Sequence, residues 1–389
     1  MPHILFCCPT PLTARLGASK VYIEAAEAFR RIGWDAELVG PAEVVGRPDA
    51  GYIPPPLLHD WLRRTAAGFD VVEYEHNALP YYRSDFPKRP LFIARSVLLT
   101  HTVVAARIPP RPNLRFRVSQ YLTRGIGRRR WNRELDRADA TIRVADLVNV
   151  GNSDERAALV AAGHPAEKIV VFPFGLFPER LAAFRPVPDD LPDPPTVAFV
   201  GTFDPRKGMA EWPALAEAVA AAHPRARFRL VGTYGLVPTA DGVLGYFPRR
   251  LRSRIQVIPK FDPAELPGLL ADCSLGVFPS HCEGFGFGVL EMLAAGLPVV
   301  AYDAPGPPTM LPAENLVPKG DGRAAGRRAA ALLADPIALR AARRAARARA
   351  DQFRWEVIAS RTADAYLSRL AEGRPDSVSR AALSTGITA

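Results

Sequence analysis

Short apolar runs bounded by Pro, Gly or polar turns alternate along the chain with longer stretches of helical spacing. In the first half, HILFCC (3–8), DAELV (35–39), DVVEY (70–74), LFIA (91–94) and IVVFP (169–173) read as strands. Between the first two, residues 20–33 place Val21, Ala25, Ala28, Phe29 and Ile32 on one helical face, and Gly33 is a helix stop. The second half repeats the rhythm with TVAFVG (196–201), RFRLVG (227–232), IQVI (255–258), SLGVFP (274–279) and PVVAY (298–302). Helical segments at 209–222, 264–271 and 288–296 separate these runs. Such alternation predicts an α/β class, with parallel sheets covered by helices on both faces.

A seam divides the two halves. FRPVPDDLPDPPT (184–196) carries five prolines and no strand or helix period, so it reads as a linker. The expected division is an N-terminal domain over 1–183, a C-terminal domain over 197–372 and a loose tail over 373–389, with a cleft between the domains. The 389 residues suit two cores better than one. Trp355, Ile358, Thr362 and Tyr366 form a stripe on a last helix, which is expected to cross back to the N-terminal domain.

The stretch SHCEGFGFGVLEMLAAG (280–296) carries three glycines, Gly284, Gly286 and Gly288, ahead of a helical run. A dinucleotide fingerprint would need a third glycine at position 289, which is valine, although Asp303 stands where its acidic partner would. Two carboxylates, Glu283 and Glu291, fence the loop. Carboxylates repel phosphate but accept hydrogen bonds from sugar hydroxyls. Phosphate would instead meet backbone N–H groups of residues 285–288, where a helix begins. A ligand with sugar hydroxyls at both ends and phosphates between them, a nucleotide-sugar, suits this order. FVGTFDPRKG (199–208) adds Arg206 and Lys207 after the first strand of the second half, where ligand-binding loops of parallel sheets collect. Read alone, these loops are equally a capped helix and a solvated basic turn.

EGFGFGVLE, an E-x7-E block, followed by AAGLPVVA and preceded by VGTFDPRKG, resembles the signature of family 4 of the retaining GT-B glycosyltransferases. LGASK (16–20), KIVVFPFG (168–175) and FRWEVIASR (353–361) extend the resemblance along most of the chain. It implies a GT-B architecture, two Rossmann-like domains with parallel sheets facing a central cleft. It also implies transfer of a sugar from a nucleotide-diphosphate donor to an acceptor hydroxyl, with retention of anomeric configuration, no covalent protein intermediate and no bound metal or other cofactor. By position, Glu283 would bind donor-sugar hydroxyls, and Phe285, Gly286 and Phe287 would present amides to sugar and diphosphate. Glu291 would bind the ribose, Lys207 the diphosphate, and Gly17 would admit the N-terminal loop to the phosphates. The base would rest on IPKF (258–261), which contains Lys260. Thr202 stands where the family often has Arg, leaving Arg206 to supply that charge, and Ala18 replaces the second glycine of the N-terminal loop.

The acceptor is expected on the N-terminal domain, where EHNALPYY (75–82) offers His76 and Asn77, and FIARSVLLTH (92–101) offers Arg95 and His101. His101 is the expected catalytic histidine, with His76 its rival. His281, Cys282 and Glu283 are consecutive and cannot readily converge on one ion, so no metal site is expected.

Charge adds one element. The net formal charge is +10, and residues 107–137 hold ten arginines against Glu134 and Asp136. With Val118, Leu122 and Ile126 on one helical face, this block could dock on an anionic membrane or a phosphorylated acceptor. The expected acceptor is a hydroxyl of a sugar, a glycolipid or other lipid-linked sugar, or a small molecule. Nucleic acid is not an expected partner, because no recognition module accompanies the charge. Four cysteines without a C-x-x-C pattern, and no signal-peptide core or apolar run of membrane-span length, point to a cytoplasmic protein with peripheral contact at the inner membrane face. A nucleotide-sugar epimerase or hydrolase of the same fold, and a catalytically silent binder, remain alternatives.

Overall fold

The computed structural model describes residues 1–13, 17–109, 114–185 and 191–372, with the backbone alone for 114–128. Strands form where apolar runs are short and β-branched or aromatic. In the first sheet these are β1 (His3–Cys7), β2 (Asp35–Val39), β3 (Val71–Glu75), β4 (Leu91–Arg95), β5 (Leu147–Val150) and β6 (Ile169–Val171). They pair in the order β2-β1-β3-β4-β5-β6, every pair parallel. All five residues of β3 and of β4 are buried, as a central strand covered on both faces requires. β5 escapes sequence reading because LVNV is only four residues long and carries Asn149 in its middle.

The second sheet contains β7 (Thr196–Val200), β8 (Arg227–Val231), β9 (Ile255–Ile258), β10 (Leu275–Phe278), β11 (Val299–Tyr302) and β12 (Leu316–Val317). Its order is β12-β11-β10-β7-β8-β9, again parallel throughout. The two-residue β12 is too short to leave a period in the sequence.

Two compact units result. The first takes Met1–Val104, Gly125–Phe174 and the helix that begins at Trp355; the second takes Ala105–Arg124 and Gly175–Arg354. The helix Pro178–Phe184 therefore belongs to the second unit, and the last helix, Trp355–Ala371, to the first. Trp355, Ile358, Thr362 and Tyr366, the stripe visible in the sequence, are all buried. The last helix is fixed by polar ties as well. Trp355 Nε1 donates to Glu24 at 2.7 Å, Tyr366 Oη donates to Glu73 at 2.6 Å, and Asn149 donates to Tyr366 Oη at 2.8 Å.

From Arg115 to Arg137 the arginine block lies on one long helix, Leu114–Val144, which continues through Gly125 and Gly127. Val118, Leu122 and Ile126, the proposed apolar face, lie among residues whose side chains are outside the described set. Among the described residues no helix is long and apolar enough to cross a membrane.

Candidate functional site

In an open parallel sheet, ligands bind beyond the carboxyl ends of the strands, where the strand order reverses. In the second sheet that point lies between β7 and β10. The loops leaving these two strands are Gly201–Gly208 and Pro279–Gly286, and they carry Arg206, Lys207 and Glu283.

Local chemistry fixes both loops. Asp204 caps the single turn Pro205–Lys207 by accepting from Lys207 N at 3.1 Å, and Thr202 Oγ1 donates to the same carboxylate at 2.6 Å. Thr202 thus orders the loop from within. Gly208 ends the turn at φ +79°, and a Cβ there would lie 2.2 Å from Pro279 O, so glycine alone lets the loops touch. The backbones then join, His281 N donating to Arg206 O at 2.7 Å.

Glu283 Oε1 sits at the junction. It accepts from Arg206 Nη1 at 2.7 Å and from the Ser280 hydroxyl, and Lys207 Nζ lies 2.6 Å away. Arg206 Nη1 also donates to Cys282 O at 2.9 Å, and Lys207 Nζ lies over the Phe278 ring at 4.7 Å. Burial favours the neutral acid, but the two cations outweigh it and hold the Glu283 carboxyl below its ordinary range. Burial pushes the Lys207 amine down, with Glu283 opposing. The arrangement is one buried carboxylate between two cations.

Gly286, at φ +98°, leads into the helix Phe287–Ala294. A Cβ on Gly288 would lie 2.3 Å from Val200 O, so glycine lets the first turn of this helix press against the end of β7. The first N–H groups of a helix lack acceptors within the preceding turn and favour anions, and this helix begins four residues after Glu283. Phe285 is buried, its ring packed on Phe353 at 5.6 Å and Phe287 at 5.8 Å. Glu291, one turn further on, is buried with Arg180 Nη2 at 3.6 Å. Arg180 is a partner of Glu291 that sequence reading misses, since no motif marks the helix Pro178–Phe184 that carries it. Lys260 and Tyr234 extend the same sheet edge from the loops after β9 and β8. The ammonium lies 3.8 Å from the ring centroid, and Tyr234 is half exposed.

The first sheet reverses order between β1 and β3, and a cavity of about 840 Å³ opens there. Its walls include Tyr52, Glu75, His76, Asn77, Trp131 and Arg137. His76 is buried. Its Nδ1 lies 2.6 Å from Glu75 Oε1 and its Nε2 accepts from Thr100 N at 3.1 Å, which places the ring proton on Nδ1. Gly17 is the first residue of the helix Gly17–Arg31, with open space where a Cβ would stand, and Ala18 lines the cavity.

Two acceptor-side expectations need correction. Arg95 does not reach the cavity. It closes a buried ion pair with Glu73, donating Nη2 to Oε2 at 3.1 Å and Nε to Oε1. His101 also points elsewhere. Thr100 lines the cavity, and the next residue of a helix is turned by about 100°, which carries His101 to Asp139 and His164. His281 turns to Glu211 at 3.2 Å rather than joining Glu283 in a ligand set.

Residues 194–335 match the family model described as Glycosyl transferases group 1. The chain is 33% identical to a D-inositol 3-phosphate glycosyltransferase of Segniliparus rotundus over 58% of its own length and 54% of that protein. It is 29% identical to a glycogen synthase of Mycobacterium tuberculosis over 45% of its length and 43% of that protein. The chain thus spans about half the length of the curated relatives it matches. Among solved structures, a sucrose-phosphate synthase of Thermosynechococcus elongatus superposes with a TM-score of 0.70 at 22% identity, covering 96% of this chain and 100% of that one. Anabaena HepE, solved with UDP and glucose, gives 0.65 at 18% identity, covering 95% and 100%. These likenesses establish the GT-B fold.

Proposed function

We propose that this chain is a group 1 glycosyl transferase that moves a sugar from a nucleotide-diphosphate donor to a hydroxyl of a sugar, polyol or lipid-linked acceptor, with retention of configuration. The observation that carries this reading is the convergence of Arg206 and Lys207 on Glu283, four residues before the helix Phe287–Ala294 begins. A diphosphate seated there would share the two cations with Glu283. As the glycosidic bond breaks, negative charge grows on the leaving diphosphate, and fixed cations with a helix N-terminus stabilise it. Glu283 then offers acceptors to donor-sugar hydroxyls. Glu291, held by Arg180, does the same for the ribose, and Tyr234 with Lys260 forms a surface against which the base can lie. Because two side-chain cations already answer the leaving group, no metal is required at the diphosphate.

Acceptor binding is assigned to the cavity at the β1/β3 reversal. Glu75, Asn77 and Arg137 supply polar groups there, and Tyr52 and Trp131 supply flat apolar surface. The basic segment 107–137 is proposed to meet an anionic membrane surface from the cytoplasmic side. Salt-sensitive co-sedimentation with phosphatidylserine vesicles supports it, and equal binding to neutral vesicles removes it.

The test is a panel of UDP-, GDP-, ADP- and TDP-sugars scored by thermal shift, followed by turnover with the best donor. Free nucleotide release that rises with an added sugar or polyol acceptor supports transfer. Release independent of acceptor favours a hydrolase or epimerase, and stabilisation without release favours a silent binder. The anomeric coupling in the product's NMR spectrum reads retention, and a rate unchanged by added Mg2+ or Mn2+ reads metal independence.

A further inference from the structure

His101, displaced from the acceptor cavity, takes part in a separate constellation. Its Nε2 lies 3.0 Å from Asp139 Oδ1, and His164 Nε2 lies 2.7 Å from the same oxygen. The three ligand atoms lie within 4.8 Å of one another. Three separate elements bring them together. His101 is on the helix Thr100–Ala105, Asp139 on Leu114–Val144, and His164 on the turn after Ser153–Ala161, where Gly163 adopts φ +92°.

We infer that His101, Asp139 and His164 form a binding site for a divalent transition metal, best suited to Zn2+, that braces one wall of the acceptor cavity. Two imidazoles and a carboxylate are a common zinc donor set, leaving a fourth position for water. A tetrahedral zinc with bonds of about 2.0–2.2 Å holds its ligand atoms roughly 3.3–3.6 Å apart. His101 Nε2 therefore needs to withdraw from Asp139 by roughly 0.3–0.6 Å, and His164 Nε2 by roughly 0.6–0.9 Å, to admit the ion between them.

Two features favour an ion over a plain hydrogen-bonded triad. Both rings converge on one oxygen of Asp139 rather than dividing its two oxygens between them. In addition, among the described residues His101 Nδ1 is buried without a hydrogen-bond partner, so the polar tie that these residues give the ring runs through Nε2 to the point of convergence. The side chains of His101 and His164 are 10% and 7% exposed, whereas Asp139 is 32% exposed and leaves an entry path with room for a bound water. Because no described residue bonds the outer nitrogen of His101, the hold on zinc is weaker than in sites whose outer imidazole nitrogen is also bonded.

The consequence is structural. Thr100 and Arg137, the sequence neighbours of His101 and near neighbours of Asp139, line the cavity. An ion here ties the two helices that carry them.

The test uses the untagged full-length chain, stripped with EDTA, dialysed and titrated with Zn2+ by calorimetry and with Co2+ by absorption. One equivalent of Zn2+, a ligand-field spectrum of four-coordinate Co2+ without a thiolate band, and a higher melting temperature with Zn2+ are expected. Asp139→Asn should weaken Zn2+ binding by at least about tenfold, and the His101→Gln/His164→Gln double variant should lose it. The inference is overturned if wild type takes up no Zn2+, if the double variant takes up as much, or if a thiolate–Co2+ band assigns the uptake to cysteines. The wild-type titrations decide the matter even if the variants fold poorly, and none of these readouts depends on transferase activity.

Discussion

Lys207 Nζ lies 2.6 Å from Glu283 Oε1, joining the loop after β7 to the loop after β10 through two nearly buried side chains. In a purely structural pair, either partner could be exchanged for its neutral isostere at a cost in stability alone. Here the pair joins the two loops that leave the sheet where its strand order reverses, so it is expected to matter for chemistry. Glu283→Gln keeps the size and one acceptor oxygen, and should lower transfer by about 10²–10³-fold with an unchanged far-UV spectrum. Lys207→Met should show a comparable loss together with a smaller donor-induced thermal shift. Wild-type turnover by Glu283→Gln would sink the assignment.

Gly288 is where the site depends on a missing side chain. A methyl group there would meet Val200 O at 2.3 Å and Phe278 Cε2 at 3.2 Å, forcing the helix Phe287–Ala294 away from β7. Gly288→Ala is expected to cost about 1–3 kcal/mol by overpacking and to reduce the thermal shift from the best nucleotide-sugar. Gly268→Ala is the control. That glycine lies in the helix Leu266–Leu270 with nothing within 4 Å of the added Cβ, so the change should be neutral or stabilising. Equal urea midpoints for the two variants would contradict the argument.

The meeting of Glu283, Lys207 and Arg206 was legible because these residues lie close in sequence to the ends of β7 and β10, and parallel sheets display those ends together. Arg180 was not legible, because its partner Glu291 is more than a hundred residues away and a helix Pro-Glu-Arg-Leu start carries no chemical signature. Arg95 and His101 failed for different reasons. Arg95 ends a strand whose neighbours' register brings Glu73 within reach, and register is invisible in one sequence. His101 lies one position past the cavity-lining Thr100, and one position on a helix is enough to change face. The final helix succeeded because its stripe of Trp355, Ile358, Thr362 and Tyr366 is strictly helical, though the sequence could not show that Tyr366 would also satisfy Glu73 and Asn149.

That last tie gives a stability prediction for the first unit. Tyr366 is fully buried, its hydroxyl donating to Glu73 and accepting from Asn149. Tyr366→Phe preserves the ring against Phe29 but leaves the Asn149 amide without this acceptor and Glu73 without this donor. The expected loss is about 1–3 kcal/mol, read as a lower urea midpoint. Donor binding by the second unit should be unaffected. A midpoint unchanged from wild type would show that other groups satisfy both partners.

Glu155 gives a pH dependence whose sign can be worked out. Its carboxyl is buried behind the cavity, accepting from Leu99 N at 2.8 Å and Gly151 N at 3.1 Å. Burial favours the neutral acid more strongly than these amides favour the anion, and the pKa is pushed up from 4.5 to about 8. Between those values the folded chain holds a proton that the unfolded chain has released. Stability from this group is therefore complete below pH 4.5 and falls as pH rises through about 8. Glu155→Gln imitates the protonated side chain but cannot ionise. It should be less stable than wild type in acid, where an amide NH2 meets a backbone donor, and the gap should narrow steadily as pH rises from 5 to 8. Urea midpoints of both proteins across that range isolate the group, since all other titrations are common to the two. A gap that stays constant with pH would mean that Glu155 is ionised throughout and that its two amide hydrogen bonds, rather than burial, set its charge.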